Sequence, residues 1–193
     1  MNTPNKLTIT RIIATPFFMA ALMIEFPFHY TVALILFIAA SLTDMIDGKM
    51  ARKYNMITDF GKFLDPLADK MLTTAAFLGF IKMGIGWQVT WIAFIVLFRE
   101  FLISSLRLVV VSSGGKVIAA NMWGKCKTVS QMAGIILALF AYVLISDFGI
   151  NNVVFVSVCN IIISILFWAS AVLCIISGVI YLKDSKEYIG PSK

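Results

Sequence analysis

Six stretches of mostly apolar residues, at about 9–25, 30–53, 62–82, 87–111, 125–147 and 152–182, restrict what this chain can become. Each reaches or approaches the roughly 20 residues that an α-helix needs to cross a hydrocarbon core. Short connections carrying Pro27, Gly84 with Gly86, Gly114 with Gly115, and Asn151 with Asn152 separate them. Period-2 alternation is absent, which argues against a transmembrane barrel. Composition agrees: 60% of the 193 residues are hydrophobic and 13% are charged, about half the charged fraction of a soluble domain. That excess excludes a soluble enzyme and a disordered chain. Three scattered cysteines make no disulfide framework, and Cys126, Cys159 and Cys174 read as small core residues. The expectation is an all-α integral membrane protein, a single domain over 1–193 with six transmembrane helices.

Lysine and arginine placement sets the orientation. Lys6, Arg11, Lys49, Arg52, Lys53, Lys62, Lys116, Lys125, Lys127, Lys183, Lys186 and Lys193 fall on one set of connections and termini, whereas the opposite set holds Lys82. Both termini are therefore expected in the cytoplasm, in a multi-pass protein of the cytoplasmic membrane. Glu25-Phe26-Pro27 follows the first apolar run where a signal peptide would carry small residues, so that span is expected to stay as an anchor. The net charge of +6 fits loops held against anionic lipid. Basic clusters with interleaved aromatics are missing, so no nucleic-acid partner is expected.

Carboxylates inside apolar helices cost at least about 2.5 kcal/mol each on insertion scales. They must face a polar cavity, pair with cations or bind metal. Asp44, Asp47, Gly48 and Ala51 lie at i, i+3, i+4 and i+7, which makes one helical stripe. Gly61, Asp65, Ala68 and Asp69 repeat the design at i, i+4, i+7 and i+8. On adjacent antiparallel helices the two stripes converge four carboxylates beside the cytoplasmic face. Oxygen ligands suit Mg²⁺, Mn²⁺ or Ca²⁺. Neither His nor Cys joins the cluster, which argues against zinc. The plain alternative is interfacial salt bridges to Lys49, Arg52, Lys53, Lys62 and Lys70.

The run Asp44-x2-Asp47-Gly48-x2-Ala51-Arg52-x8-Gly61-x3-Asp65-x3-Asp69 resembles the complete signature of the CDP-alcohol phosphotransferases, at all eight fixed positions. The resemblance covers nearly the whole chain. It implies six transmembrane helices, an active site on the cytoplasmic side, and a homodimer. It implies transfer of a phosphatidyl group from CDP-diacylglycerol, or a related phosphoalcohol from another CDP donor, to an alcohol, with release of CMP. Carried over by position, it implies that Asp44, Asp47 and Asp65 hold divalent metals, Mg²⁺ or Mn²⁺, two per site. Asp69 would assist with metal and act as general base. Gly48 and Ala51 would border the cytidine pocket, Arg52 would lie near the donor phosphates, and Gly61 belongs to the same donor-binding set.

Three further segments resemble the branch of this family whose acceptor is sn-glycerol 3-phosphate. They are Pro4-Asn5-Lys6-Leu7-Thr8-Ile9-Thr10-Arg11, then Arg99-Glu100-Phe101 with Ser104 and Arg107, then Gly124-Lys125-Cys126-Lys127-Thr128-Val129-Ser130-Gln131. Glu100, Ser104 and Arg107 share a face at i, i+4 and i+7. A buried Arg99 or Arg107 needs Glu100, a carboxylate of the cluster or a ligand phosphate. A pocket containing Arg107, Lys116, Lys125 and Lys127 suits a phosphomonoester, and Arg99, Glu100, Thr128 and Gln131 complete the expected acceptor set. The lysines can equally be positive-inside anchors, and Thr128 and Gln131 ordinary helix–helix hydrogen-bonding residues. Thr8 and Arg11 can close over the donor phosphates or serve as an interfacial cap and anchor.

The expected chemistry is attack of the acceptor hydroxyl on the lipid-bearing phosphorus, with Asp69 taking the proton. The donor's acyl chains stay in membrane lipid while the soluble acceptor and CMP exchange with the cytoplasm. Competing readings are the same chemistry on another acceptor (inositol phosphate, serine or phosphatidylglycerol), a divalent-cation transporter, and a partner-binding membrane subunit.

Overall fold

In hydrocarbon, a chain that is not a closed barrel satisfies its backbone only as helix, and each apolar stretch of this protein is one. A computed structural model describes the backbone of residues 3–53, 59–112, 122–150 and 152–185; the side chains of 3, 4, 45, 47–53, 59–63, 65, 66, 69, 108, 111 and 112 lie outside the description. The helices are α1 (Thr3–Met23), α2 (His29–Lys53), α3 (Asp59–Met83), α4 (Val89–Ser112), α5 (Met122–Tyr142) and α6 (Val153–Asp184), and α5 runs on into one π-helical turn at Val143–Asp147. No strand occurs among the described residues.

Four of these segments are long and apolar enough to cross a membrane: Asn5–Met23, Val89–Arg107, Met122–Asp147 and Val153–Asp184. In α2 the apolar part is the shorter His29–Asp44. The first half of α3 carries Asp59, Lys62, Asp65, Asp69 and Lys70. Large apolar side chains such as Phe17, Trp91, Phe98, Ile161 and Ile165 lie exposed on the outer surface. A soluble protein rarely shows so extended an apolar surface, so the chain reads as a multi-pass membrane protein.

Local chemistry sets the helix ends. At the end of α3, Gly84 takes φ +68°. Its N–H donates to the Ile81 carbonyl at 3.3 Å, and that of Ile85 to Phe80 at 3.0 Å. This is the paired Schellman closure that a glycine permits without strain. Asn152 caps α6 by accepting from the N–H groups of Val154 and Phe155 at 2.9 and 3.3 Å. A distant residue caps α2: Asp147, at the end of the π turn, accepts from both the N–H and the hydroxyl of Thr31 at 2.7 Å.

The helices close a ring in the order α1, α2, α5, α6, α4, α3 and back to α1. Among the described residues α2 and α3 touch each other sparingly, and α1 lies against both. The contacts Arg11–Asp44, Lys70–Ser104, Lys127–Glu100 and Arg99–Ser177 show that the first halves of the odd helices and the second halves of the even helices gather at one end of the bundle. The buried interior of the half away from that end is apolar and aromatic. Phe77 and Phe80 of α3 meet Phe167 of α6 at ring separations of 5.5 and 5.8 Å, and Phe18 of α1 meets Phe37 of α2 at 5.5 Å. Close approach of α5 to α6 depends on Gly134, where a Cβ would fall 2.8 Å from the Phe167 ring.

Candidate active site

Along α1 the inward stripe changes character. Asn5, Thr8, Arg11 and Thr15 are buried polar residues, and Phe18 and Leu22 continue the stripe into the apolar core. Buried polar side chains of α5 and the end of α6 (Lys127, Gln131, Ser177 and Ser185) lie toward the same end of the bundle. The polar chemistry of the molecule is therefore concentrated where the aspartate-bearing helix ends lie.

Arg11 is 1% exposed. Its Nε donates to the Ala40 carbonyl at 3.2 Å and its Nη1 to Asp44 Oδ1 at 2.5 Å. A buried guanidinium needs such partners, and here they tie α1 to the first aspartate of the signature. Arg11 is therefore a buried pairing residue, not an interfacial anchor. The Asp44 side chain stays 47% exposed, and a carboxylate offers about four lone-pair sites. Its oxygens thus lie at the polar end, and carboxylate oxygen is the donor type that a hard divalent cation takes. The backbone of Asp47, Gly48, Ala51 and Arg52 continues α2 past Asp44, and that of Gly61, Asp65 and Asp69 opens α3. Their side chains lie outside the described residues, so convergence of the four carboxylates is not described. Among the described residues no three His, Cys, Asp or Glu gather.

The second half of the predicted site is built around Glu100. Its carboxylate accepts from Lys127 Nζ and lies 3.5 Å from Arg99 Nη1. Arg99 Nη2 donates to Ser177 Oγ at 3.0 Å. Lys70 Nζ donates to the Glu100 carbonyl at 3.2 Å and also to Ser104 Oγ. A small cavity of about 20 Å³ is lined by Lys70, Thr73, Glu100, Lys127, Thr128 and Gln131. Four expected acceptor residues thus converge: Glu100, Lys127, Thr128 and Gln131. Arg99 joins them by contact with Glu100. Arg107 and Lys125 are exposed and do not line this cavity, and Lys116 lies outside the described residues.

Sequence reasoning passed over Lys70 and Thr73 as members of this pocket. The signal was present, because a lysine one residue beyond Asp69 in an apolar helix demands a partner. It was assigned to the aspartates, whereas its described bonds reach α4. Cys174 is buried and half-buried Cys159 packs against the core, as expected of small core residues, whereas Cys126 is exposed, contrary to that expectation. The reason is the α5 register. Lys127, Gln131 and Gly134 turn inward at i, i+4 and i+7, which leaves Met122, Cys126, Val129 and Ala133 outward. Among the described residues, Phe37, Phe77, Phe80, Ile92, Leu139 and Phe167 are fully buried across the opposite half of the bundle.

A family model described as CDP-alcohol phosphatidyltransferase matches residues 1–176. A Bacillus subtilis (strain 168) protein named CDP-diacylglycerol–glycerol-3-phosphate 3-phosphatidyltransferase is 36% identical, over 99% of this chain and 98% of its own length. Proteins of the same name from Rickettsia bellii and Haemophilus influenzae are 38% and 35% identical. They align over 97% and 96% of this chain, and over 97% and 94% of their own lengths.

Proposed function

Because this chain belongs to the CDP-alcohol phosphatidyltransferase family, we propose that it transfers the phosphatidyl group of CDP-diacylglycerol to sn-glycerol 3-phosphate. The products are phosphatidylglycerophosphate and CMP. The observation that carries the reading is the complete aspartate signature on the polar ends of α2 and α3, in a chain that aligns end to end with relatives of that name.

In this reading Asp44, Asp47, Asp65 and Asp69 hold Mg²⁺ or Mn²⁺, two ions per site. Bound there, the ions neutralise the diphosphate and the departing CMP. Arg11 keeps Asp44 in the ligand orientation. Gly48, Ala51, Arg52 and Gly61 border the nucleotide and its phosphates, with Thr8 on the inward face of α1 beside them. Asp69 takes the proton of the acceptor hydroxyl as it attacks the lipid-bearing phosphorus. Positioning and charge stabilisation carry the rate.

The acceptor phosphate is received by Lys127, Thr128 and Gln131, with Arg107, Lys116 and Lys125 guiding it from the cytoplasm. Glu100 and Arg99 orient the pocket. As folded, the Glu100–Lys127 pair leaves room for about one water. Entry of a phosphomonoester therefore swings the Lys127 ammonium from the carboxylate to the phosphate. Six crossings, both termini in the cytoplasm and a homodimer in the cytoplasmic membrane complete the proposal.

The deciding experiment is an acceptor screen with labelled donor and purified protein in detergent. CMP forms only when glycerol 3-phosphate and Mg²⁺ or Mn²⁺ are both present. Equal CMP release with inositol phosphate, serine or phosphatidylglycerol would move the acceptor. Ion flux in proteoliposomes without CMP formation would overturn the enzyme reading.

A further inference from the structure

We infer that a pocket at the bundle end opposite the signature binds the headgroup of a phospholipid carrying a primary ammonium beside its phosphate, the phosphatidylethanolamine class. The pocket encloses about 540 Å³, within the size range of small-molecule sites. It lies between the end of α1, the start of α2, the end of α3 and the π turn, and its polar lining is Glu25, His29, Tyr30, Lys82 and Ser146. Several of these groups are held in place. A carbonyl only accepts, so His29 Nδ1 donates to Ala21 at 3.1 Å, and in the neutral ring Nε2 is left to accept. The His29 ring lies 4.1 Å from that of Tyr30, whose hydroxyl donates to Met83 Sδ at 3.5 Å. Lys82 Nζ donates to the Met23 carbonyl at 3.1 Å, at the C-terminus of α1 where a cation is favoured. An ammonium has three N–H groups, so Lys82 keeps donors for a ligand.

Charge selects the headgroup. Glu25 and Lys82 line one pocket, yet among the described residues neither takes part in an ion pair. A ligand of a single sign meets a like charge there: an anion meets Glu25, and a cation meets Lys82. A ligand carrying both signs finds a partner for each, its phosphate against Lys82 and its ammonium against Glu25 and His29. Carboxylate oxygen and imidazole Nε2 accept hydrogen bonds, so the ligand must bring N–H. A primary ammonium does, and a trimethylated one does not. Position says that the ligand is a lipid. Trp87 and Trp91, 67% and 61% exposed, flank the start of α4 at this same end, and exposed tryptophan marks the headgroup level of a membrane. An occupant here bridges the ends of α1 and α3, so its binding is expected to stabilise the fold.

The test titrates delipidated protein in detergent with phosphatidylethanolamine, with its mono-, di- and trimethylated forms, and with phosphatidylglycerol, all bearing the same chains, and reads the melting temperature. Phosphatidylethanolamine is expected to raise it saturably. Its apparent Kd should lie about tenfold or more below those of the trimethylated form and phosphatidylglycerol, with the sharpest loss at the third methyl, where the last N–H goes. E25Q and K82Q are each expected to weaken binding about tenfold while melting like the parent protein in the absence of lipid. Should either variant melt early, the methylation series on the parent protein decides alone. Equal shifts from the trimethylated lipid or from phosphatidylglycerol, or parent-like affinity in E25Q, overturn the inference. Equal competition by glycerophosphoethanolamine, which lacks the chains, overturns it too, because the occupant is then a soluble molecule.

Discussion

Arg11 and Glu100 sit inside a bundle that tolerates charge only against a partner, and each has one. Arg11 holds Asp44, so its loss should act through metal. R11A is expected to raise the Mg²⁺ or Mn²⁺ concentration needed for half-maximal activity about 10–100-fold, as removal of groups behind metal ligands does elsewhere. An unaltered metal titration would separate the ion pair from the site. Glu100 faces Lys127 and Arg99. E100Q leaves two cations against a neutral amide and should cost about 3–5 kcal/mol, read as an early melting transition in detergent. Adding K127M to E100Q should recover part of that loss; a native melting curve for E100Q alone would remove Glu100 as the hub. D69N should abolish turnover yet keep metal-dependent donor binding, and a near-native rate there would refute the proposed base. In the sequence the aspartates stand out by spacing alone. Lys70 as a pocket residue does not, because its partner lies 30 residues away on another helix.

Helix ends were legible to within about three residues except at the start of α1, expected near 9 and found at Thr3. The expected stretch at 30–53 is α2 at His29–Lys53, and that at 152–182 is α6 at Val153–Asp184. Apolar runs mark the part of a helix that lies in hydrocarbon, whereas capping decides where it stops. The stretch at 125–147 divides into α5 and a π turn, a change of hydrogen-bond register that hydropathy does not register. That turn ends on Asp147, which caps α2 from across the bundle. D147A should therefore cost about 1 kcal/mol, seen as a small fall in melting temperature with the metal titration unmoved. Gly134 is the tight point between α5 and α6. G134A pushes a methyl into the Phe167 ring and is expected to destabilise by about 1–3 kcal/mol. A native melting temperature for G134A would show that the ring yields.

The ring of helices puts polar residues at one end and an aromatic core at the other, and this asymmetry matches the proposed reaction, in which a lipid donor meets one soluble acceptor and releases soluble CMP. Orientation in the membrane has a direct readout in Cys126, exposed near the start of α5. A membrane-impermeant maleimide should label it in inside-out vesicles, and labelling of right-side-out vesicles instead would reverse the proposed topology. Helix existence, membrane residence and the shared faces of Asp44 with Asp47 and of Asp65 with Asp69 follow from local order along the chain. Apolar length and a repeat of 3.6 residues act within a single segment. Which helices adjoin, that Arg11 belongs to Asp44, that Lys127 is held by Glu100, and that α1 lies against both aspartate-bearing helices were decided by folding. Those outcomes depend on how side chains of distant segments fit, as Gly134 does against Phe167, and spacing within one helix carries no record of the shape it will meet.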